Sequence, residues 1–146
     1  MQQVSEIMSK DVQIASPEDT IKKAAQLMAA TNCGVLPVGE SGRLLGIVTD
    51  RDITIRAVST GNAPNQCTVR EVMSSRIKYV FEDEATHAAA HKMSKLQVRR
   101  LLVLNRQKRL VGIVSLSDLA LKHEGPAAAS TLKQVSKPNL VVGVKA

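Results

Sequence analysis

The chain contains two copies of one sequence unit, and this internal repeat limits its possible folds more than any other feature. Residues 4–38 align with residues 69–103 at a constant offset of 65, and residues 43–55 align with 109–121 at an offset of 66. Fifteen of these 48 aligned positions are identical. A period near 65 residues is longer than a solenoid repeat, so it predicts two small units related by a pseudo-twofold axis.

Each copy predicts the same order of elements, a β-α-β-β-α unit that follows a short lead-in. The expected strands are residues 12–15, 35–38 and 44–48 in the first copy and 78–81, 100–104 and 110–114 in the second. A second helix closes each copy, at residues 50–59 and 116–123.

The first helix of each copy has a predicted start and a predicted buried face. In the first copy, the run from Ser16 to Asp19 offers a cap, a first-turn proline and acids at the positive end of the helix dipole. The second copy has the acids Glu82, Asp83 and Glu84 at this place. The apolar face of the first helix is predicted to contain Ile21, Ala24, Ala25 and Met28.

A unit of this kind leaves one face of its sheet uncovered, so two units can bury those faces against each other. The predicted fold class is therefore α/β (α+β), with two pseudo-twofold-related repeats packed sheet to sheet. We assign residues 1–61 to the first repeat, 62–124 to the second, and 125–146 to a tail with room for a short helix near residues 130–135.

The composition limits the classes of partner. Lys and Arg outnumber Asp and Glu by 20 to 13, and the net charge of +7 attracts anions such as nucleotides or nucleic acid. One Phe, one Tyr and no Trp require an aliphatic core, in which we place Met8, Met28, Met73 and Met93. No apolar run approaches the roughly 20 residues that span a bilayer. No secretory signal is visible, so we expect a cytoplasmic protein without a membrane partner.

The best-matched segment of the repeat is GIVTDRD at residues 46–52, which returns as GIVSLSD at residues 112–118. Each segment ends a strand and begins a helix, where unpaired N–H groups favour a phosphate. A carboxylate one helical turn later can accept both hydroxyls of a ribose. Ordinary helix capping is the alternative, and the in-register duplication favours a ribonucleotide site. The predicted phosphate-side hydroxyls are Thr49 and Ser115, and the predicted ribose carboxylates are Asp52 and Asp118.

These segments resemble the CBS-domain family (cystathionine-β-synthase-type domains) in the tandem arrangement called a Bateman module. The resemblance covers about residues 2–123 and includes the Leu36-Pro37-Val38 strand. It is greatest for short stand-alone bacterial pairs of the hypoxic-response type, which often carry the segments found at residues 49–53 and 97–100. The resemblance implies a non-enzymatic sensor that binds adenosine nucleotides in two clefts between the repeats and pairs into a homodimer.

The resemblance also assigns roles to individual residues. It implies that Asp52 and Asp118 bind ribose. The implied phosphate-binding residues are Thr49, Ser115, Arg51, Arg99 and Arg100. The implied adenine pocket contains Val12, Val35, Leu36, Pro37, Ile77 and Leu101.

The two copies differ at these positions, so the resemblance implies two unequal clefts. Gly34 and Val35 stand in the first copy where the second has Arg99 and Arg100. Across the interface, we expect those two arginines to serve the cleft of Asp52. Arg51, which Ser117 replaces in the second copy, is expected to serve the cleft of Asp118. Leu102 replaces Pro37 in the strand beside the adenine.

Three other features have plainer interpretations. His87 and His91 have metal-ligand spacing on a helix, but only alanines lie between them, which favours a solvated surface. Cys33 and Cys67 form no CxxC pair, and we expect Cys33 to be a small buried hydrophobe. The basic turn at residues 106–109 lacks interleaved aromatics, which favours a solvated hairpin tip over a nucleic-acid contact.

Three classes of function compete. The leading hypothesis is a regulatory module without a catalytic cofactor that binds AMP or ATP, or another adenosine ligand such as NAD or S-adenosylmethionine, and acts on an unknown protein effector. A small basic nucleic-acid-binding protein is the alternative, and only the charge of +7 supports it. The sequence offers no nucleophile–base pair, Gly-rich loop or metal cluster for an enzyme.

Overall fold

The computed structural model describes residues 1–122 together with Gln134 and Val135. The helices are α1 (Ile21–Thr31), α2 (Asp50–Ile53), α3 (Val69–Val72), α4 (Thr86–Leu96) and α5 (Leu116–Lys122). The strands are β1 (Val35–Glu40), β2 (Arg43–Thr49), β3 (Tyr79–Phe81), β4 (Arg100–Leu104) and β5 (Leu110–Ser115). A 3-10 turn at Val4–Glu6 precedes them, and a π-helical segment at Thr54–Val58 prolongs α2. This mixed α/β architecture with two related units confirms the predicted fold class.

The sheets of the two repeats are alike except at their first strand. In the second repeat, β3 pairs parallel to β4, and β4 pairs antiparallel to β5. In the first repeat, β1 pairs antiparallel to β2, and the strand predicted at residues 12–15 is wrong. Ala15 alone forms a parallel bridge to Val38. Before this bridge, the Val12 amide donates to the carbonyl of Lys10 at 3.0 Å, a bond within a tight turn and not between strands.

The start predicted for α1 is also wrong, since Thr20 caps the helix. Its Oγ1 accepts the Lys23 amide at 3.1 Å. The predicted cap is a separate turn, closed by a bond of 2.9 Å from the Ser16 amide to Asp19 Oδ2. The second repeat closes the matching turn with a bond of 2.7 Å from the Phe81 amide to Glu84 Oε2. The acids before each helix therefore stabilise the preceding turn. Ala25, placed on the buried face by its spacing, is exposed.

The hydrophobic cores exchange their lead-in segments, which are residues 4–9 and residues 69–74. Val4, Ile7 and Met8 of the first lead-in are buried in the core of the second repeat. Val69 and Val72 of the second lead-in are buried in the core of the first repeat. The division at residue 61 remains a prediction for the sequence units, whereas each core draws on both sides of it. The methionines lie in or against these cores, as predicted.

A glycine stands where each lead-in crosses a strand. Ile47 and Ser74 exchange backbone hydrogen bonds of 2.9 and 2.8 Å, and Ile113 and Ser9 exchange two of 2.9 Å. A Cβ atom on Gly46 would lie 2.4 Å from the carbonyl oxygen of Ser74. The close approach of two backbones therefore explains the first residue of each repeated GIV segment.

No helix among the described residues has the length and apolar character needed to cross a bilayer. The tail helix predicted near residues 130–135 lies outside the described residues except for Gln134 and Val135, which are helical.

Candidate functional site

The repeated motif forms the same capped turn in both repeats. Thr49 Oγ1 accepts the Asp52 amide at 3.0 Å, while the Thr49 amide donates to Asp52 Oδ2 at 2.9 Å. In the second repeat, the corresponding bonds between Ser115 and Asp118 measure 3.1 and 2.9 Å. Both motifs therefore do cap their helices, and the cap occupies one oxygen of each carboxylate.

Among the described residues, the second oxygen of each carboxylate has only a long ionic contact. Asp52 Oδ1 lies 4.0 Å from Arg56 Nε, and Asp118 Oδ1 lies 3.7 Å from Lys122 Nζ. The Asp52 and Asp118 side chains are 17% and 18% exposed, so both can be reached from a neighbouring cleft. An ionised carboxylate has about four acceptor positions. Each motif therefore keeps enough acceptor capacity for the two hydroxyls of a ribose while it caps its helix.

A cleft of about 670 Å³ opens in front of the first motif, and we call it the Asp52 cleft. Its volume lies within the range of about 300–1,000 Å³ that is usual for small-molecule sites. The first repeat contributes the turn from Thr49 to Asp52 together with Val35, Ile47 and Arg56, and the second repeat contributes residues between 74 and 100. The basic residues that line it are Arg51, Arg56, Arg76, Lys78, Arg99 and Arg100. Only two carboxylates, Asp50 and Asp52, lie among its described lining residues, so the cleft favours an anion.

The structure brings Arg99 and Arg100 to the Asp52 cleft from across the interface, where we expected them. It places Arg51 on the same cleft and not among the described residues that line the Asp118 cleft, contrary to our expectation. Arg51 follows Thr49 by two residues and stays beside its own motif.

Three basic residues of the Asp52 cleft were missed in the sequence. Arg56 is held in place because its Nη1 donates to the carbonyls of Val72 and Met73 at 3.0 and 3.2 Å. Arg76 and Lys78 flank the segment that leads into β3. The pair was visible in the repeat alignment, where Asp11 and Gln13 occupy the matching positions of the first copy.

A smaller cleft of about 190 Å³ opens in front of the second motif, and we call it the Asp118 cleft. Like the Asp52 cleft, it combines the capped turn of one repeat with residues of the other, but the two repeats exchange places. Ser115 and Asp118 come from the second repeat, and Asp11 and Val12 come from the first. Among its described lining residues, Arg100 is the only basic one, and it faces two carboxylates.

The predicted adenine pocket is placed only in part. Val35 lines both clefts, while Val12 and Leu36 line the Asp118 cleft. Leu101 is 1% exposed and lies in the core of the second repeat, and Pro37 is buried in β1. Ile77 is half-buried between Arg76 and Lys78 and is absent from the described lining of the Asp52 cleft. The apolar wall residues that sequence analysis missed include Val98 and the second residue of each GIV segment, Ile47 and Ile113.

The two cysteines differ from each other more than expected. Cys33 is half-exposed on the wall of the Asp118 cleft, which corrects its assignment as a buried residue. Cys67 is buried in the first core, and burial together with the nearby Glu71 carboxylate raises the pKa of its thiol. His87 and His91 are exposed, as predicted. Among the described residues, no three His, Cys, Asp or Glu side chains are grouped so that they could hold a metal ion.

The basic turn at residues 106–109 is exposed, as predicted, and one of its side chains makes specific contacts. Arg106 stacks on Phe81, with 4.2 Å from Cζ to the ring centroid, and pairs with Asp83 at 2.8 Å. That guanidinium lowers the pKa of the Asp83 carboxyl. Arg106 is therefore committed to contacts within the chain.

Comparison with known proteins decides the family. The family model described as "CBS domain" matches the chain twice, over residues 4–58 and residues 69–123. The chain belongs to the CBS-domain family. The resemblance found in the repeated segments is thereby confirmed, and the protein is a CBS pair.

Several proteins resemble this CBS pair over nearly their whole length. The CBS domain-containing protein YhcV of Bacillus subtilis is 38% identical over 96% of this chain and 99% of its own length. Hypoxic response protein 1 of Mycobacterium tuberculosis is 34% identical, with 91% of this chain and 93% of its own length aligned. The crystal structure of the CBS domain pair of protein MJ0100 in complex with 5′-methylthioadenosine and S-adenosyl-L-methionine is 31% identical, with a TM-score of 0.72. That match covers 82% of this chain and 94% of the other.

Proposed function

We propose that this CBS pair is a non-enzymatic regulatory module that binds adenosine compounds in its two clefts, with AMP or ATP in the Asp52 cleft. The observation that carries the proposal is the Asp52 cleft itself. A carboxylate with spare acceptor capacity stands at one end of a cavity of about 670 Å³ that also holds six basic side chains. A ribose and one or more phosphates are the chemical groups that fit these two features together.

The individual contacts follow from the placement of the residues. Asp52 accepts the ribose hydroxyls, and Thr49 lies at the start of α2 on the phosphate side. Arg51, Arg99 and Arg100 bind the phosphates. The apolar side chains available for the adenine are Val35, Ile47 and Val98. The solved CBS pair that holds two adenosine derivatives supports this class of ligand.

The Asp118 cleft takes a less charged adenosine compound in this proposal. Asp118 has the same spare capacity as Asp52, but the cleft is smaller and has two carboxylates against one arginine. A phosphate would therefore bind less tightly there than in the Asp52 cleft. Adenosine, or a derivative without phosphate, keeps the ribose contact and avoids the unfavourable charge.

A nucleic-acid-binding role receives less support. Three basic residues that sequence analysis left unexplained, Arg56, Arg76 and Lys78, lie in a concave cleft with a ribose-type carboxylate. The two aromatic residues, Tyr79 and Phe81, pack edge to face on each other at 5.5 Å and are also covered by Lys92 and Arg106. They are therefore poorly placed to stack on bases.

We also propose that the protein forms a homodimer and passes the ligand signal to a protein effector. Ile55 and Leu121 occupy equivalent positions of the repeat and are 51% and 82% exposed, and Val58 nearby is 59% exposed. Large apolar side chains at matching positions of both repeats favour a homodimer of CBS pairs. Light scattering on Leu121→Glu tests this arrangement, with a shift from dimer to monomer as the expected result.

Calorimetry with AMP, ATP and adenosine tests the proposed ligands, and a labelled DNA duplex tests the alternative. We expect AMP or ATP to bind in two phases and to raise Tm by several degrees at a hundredfold excess over Kd, which corresponds to about 2.7 kcal/mol. The DNA duplex should bind weakly, with an affinity that falls steeply with salt. Absence of heat and of a Tm shift with every adenosine compound would overturn the proposal. Tight DNA binding at about 0.15 M salt that AMP does not displace would favour the nucleic-acid role.

A further inference from the structure

Val35 and Arg100 occupy the same position in the two repeats, 65 residues apart. Each is the first residue of a strand, β1 or β4. Val35 lies opposite Thr49 in its sheet, and Arg100 lies opposite Ser115. Among the described lining residues, only Val35 and Arg100 border both clefts. The two clefts therefore share a wall made of one residue from each repeat.

This shared wall carries a single positive charge, because its other member is a valine. Arg100 is exposed, and its guanidinium makes no hydrogen bond or ion pair with any described residue. It can therefore turn to an anion on either side of the wall. For the Asp118 cleft it is the only basic side chain in the described lining, whereas the Asp52 cleft has five others.

We propose that Arg100 is a specificity residue that the two clefts share, so that a phosphorylated ligand in the Asp52 cleft makes the Asp118 cleft selective for adenosine compounds without phosphate. The inference rests on the proposed function and concerns how its two sites act on each other. A guanidinium that binds a phosphate in one cleft is not available to a second phosphate in the other. By linkage, a phosphate in the Asp118 cleft weakens phosphate binding in the Asp52 cleft by the same factor.

The other basic residues of the Asp52 cleft reduce direct repulsion between the phosphates, so the coupling depends mainly on Arg100. A phosphate in the Asp52 cleft still meets Arg51, Arg76, Lys78 and Arg99, which offset its charge. Direct repulsion between the two phosphates is thereby reduced. A ligand without phosphate makes no demand on Arg100, so its affinity for the Asp118 cleft stays independent of the Asp52 cleft.

Calorimetry on the full chain separates the two states of the Asp118 cleft. In the wild type, the weaker phase of an AMP titration reports this cleft while the Asp52 cleft is filled. In Asp52→Ala, the remaining phase reports it while the Asp52 cleft is empty. We expect AMP to bind the Asp118 cleft about tenfold more tightly in Asp52→Ala, the effect of about one charge-assisted contact. Adenosine should show no such difference, and Asp52→Asn should reproduce the result if Asp52→Ala lowers stability.

Two matched arginine variants identify the residue responsible. Arg100→Gln should weaken AMP in both clefts and abolish the tenfold difference. Arg99→Gln removes a neighbouring charge that lines the Asp52 cleft alone, so it should weaken the tight phase and keep the difference. Three results would overturn the sharing of Arg100. The first is an AMP affinity of the Asp118 cleft that is equal with and without Asp52, and the second is the same tenfold difference with adenosine. The third is a tenfold difference that persists in Arg100→Gln. If neither AMP nor adenosine binds the wild type, the proposed function itself fails.

Discussion

The Asp52 and Asp118 clefts are assembled alike from opposite repeats, and the charge of one exposed segment is among the differences between them. Each cleft takes its capped turn from one repeat. From the other repeat it takes two residues of the segment that follows the lead-in. Those residues are Arg76 and Lys78 in the Asp52 cleft, whereas the matching positions give the Asp118 cleft Asp11 and Gln13. All four side chains are exposed. Their charge can therefore change without disturbing either core, and the fold leaves the choice of ligand to a surface segment.

The largest expected effect comes from removing the carboxylate of one cleft. Asp52→Ala should abolish the tight phase of AMP binding, with a loss of about 100-fold or more, because two hydrogen bonds of about 1.5–3 kcal/mol each are lost. Asp118→Ala should remove only the weaker phase. Calorimetry on both variants measures the losses. Loss of the tight phase from Asp118→Ala would show that the two clefts have been ranked in the wrong order.

The matched control separates binding from helix capping. Asp52→Asn retains an oxygen that can accept the Thr49 amide, and it removes the charge. It should keep the Tm close to that of the wild type and still weaken AMP. A variant that loses Tm and affinity together would mean that capping alone explains the residue.

Exchanging the charged segment should make the clefts more alike. In Arg76→Asp combined with Lys78→Gln, the preference of the Asp52 cleft for AMP over adenosine should fall by about tenfold or more, since two phosphate-facing charges are removed and a carboxylate is added. Asp11→Arg should raise the affinity of the Asp118 cleft for AMP. Lys95→Gln, an exposed charge outside the described lining of both clefts, serves as the control. Equal effects of the control and the double variant would assign the preference to net charge alone.

The backbone frame that the clefts share can be tested at its glycines. Gly46→Ala should destabilise the protein by about 1–3 kcal/mol, because the new Cβ overlaps a backbone oxygen of the second lead-in. Gly112→Ala should have a smaller effect, since its nearest neighbours at 2.7 Å include the flexible Met8 side chain as well as Ser9 O. Thermal unfolding gives both values. An unchanged Tm for Gly46→Ala would show that the lead-in can move away without loss.

The cysteines provide a probe of the Asp118 cleft only. Cys33 lines this cleft and should react first with a thiol reagent, while Cys67 is buried with a raised pKa and so has little thiolate. Adenosine should slow the modification of Cys33 several-fold by covering it. The rate can be followed by absorbance, with Cys33→Ser as the control. Protection of Cys33 that persists in Asp118→Ala would place the ligand elsewhere.

The smallest effect concerns the lead-in of the first core. The Thr68 amide and hydroxyl donate to Glu71 and lower the pKa of its carboxyl. A lowered pKa in the folded state stabilises the protein at neutral pH, and this contribution is lost as the pH falls through that pKa. Glu71→Gln should therefore lower the Tm slightly at neutral pH, and the difference should vanish as the pH falls through the lowered pKa of Glu71. A constant difference at all pH values would mean that the carboxylate charge has no part in it.

Sequence analysis predicted the features that recur in both copies of the repeat. It failed for residues whose placement depends on contacts with other segments. The motif from residue 46 to 52, its duplicate and the presence of Arg99 and Arg100 in the Asp52 cleft followed from spacing and resemblance. The strand at residues 12–15 was predicted by analogy between the copies, but in the first repeat only Ala15 pairs with β1. Leu101 was placed in a pocket by the resemblance, although it lies in the core of the second repeat. The role of Arg76 depends on the exchange of segments between repeats, which spacing within one repeat does not encode.

The exchange of lead-ins bears on how such a chain arose. A fragment with one repeat would carry a lead-in whose apolar side chains have no place in its own core, and a core without the segment that fills it. A single ancestral unit could have completed its core only with a second molecule, as a segment-swapped homodimer. Gene duplication then joined the two partners, and the linker replaced a concentration-dependent association by an intramolecular one. On this view, the pseudo-twofold axis of the present chain is the symmetry axis of that dimer, and the unequal charges of its two clefts became possible only after the copies were free to diverge.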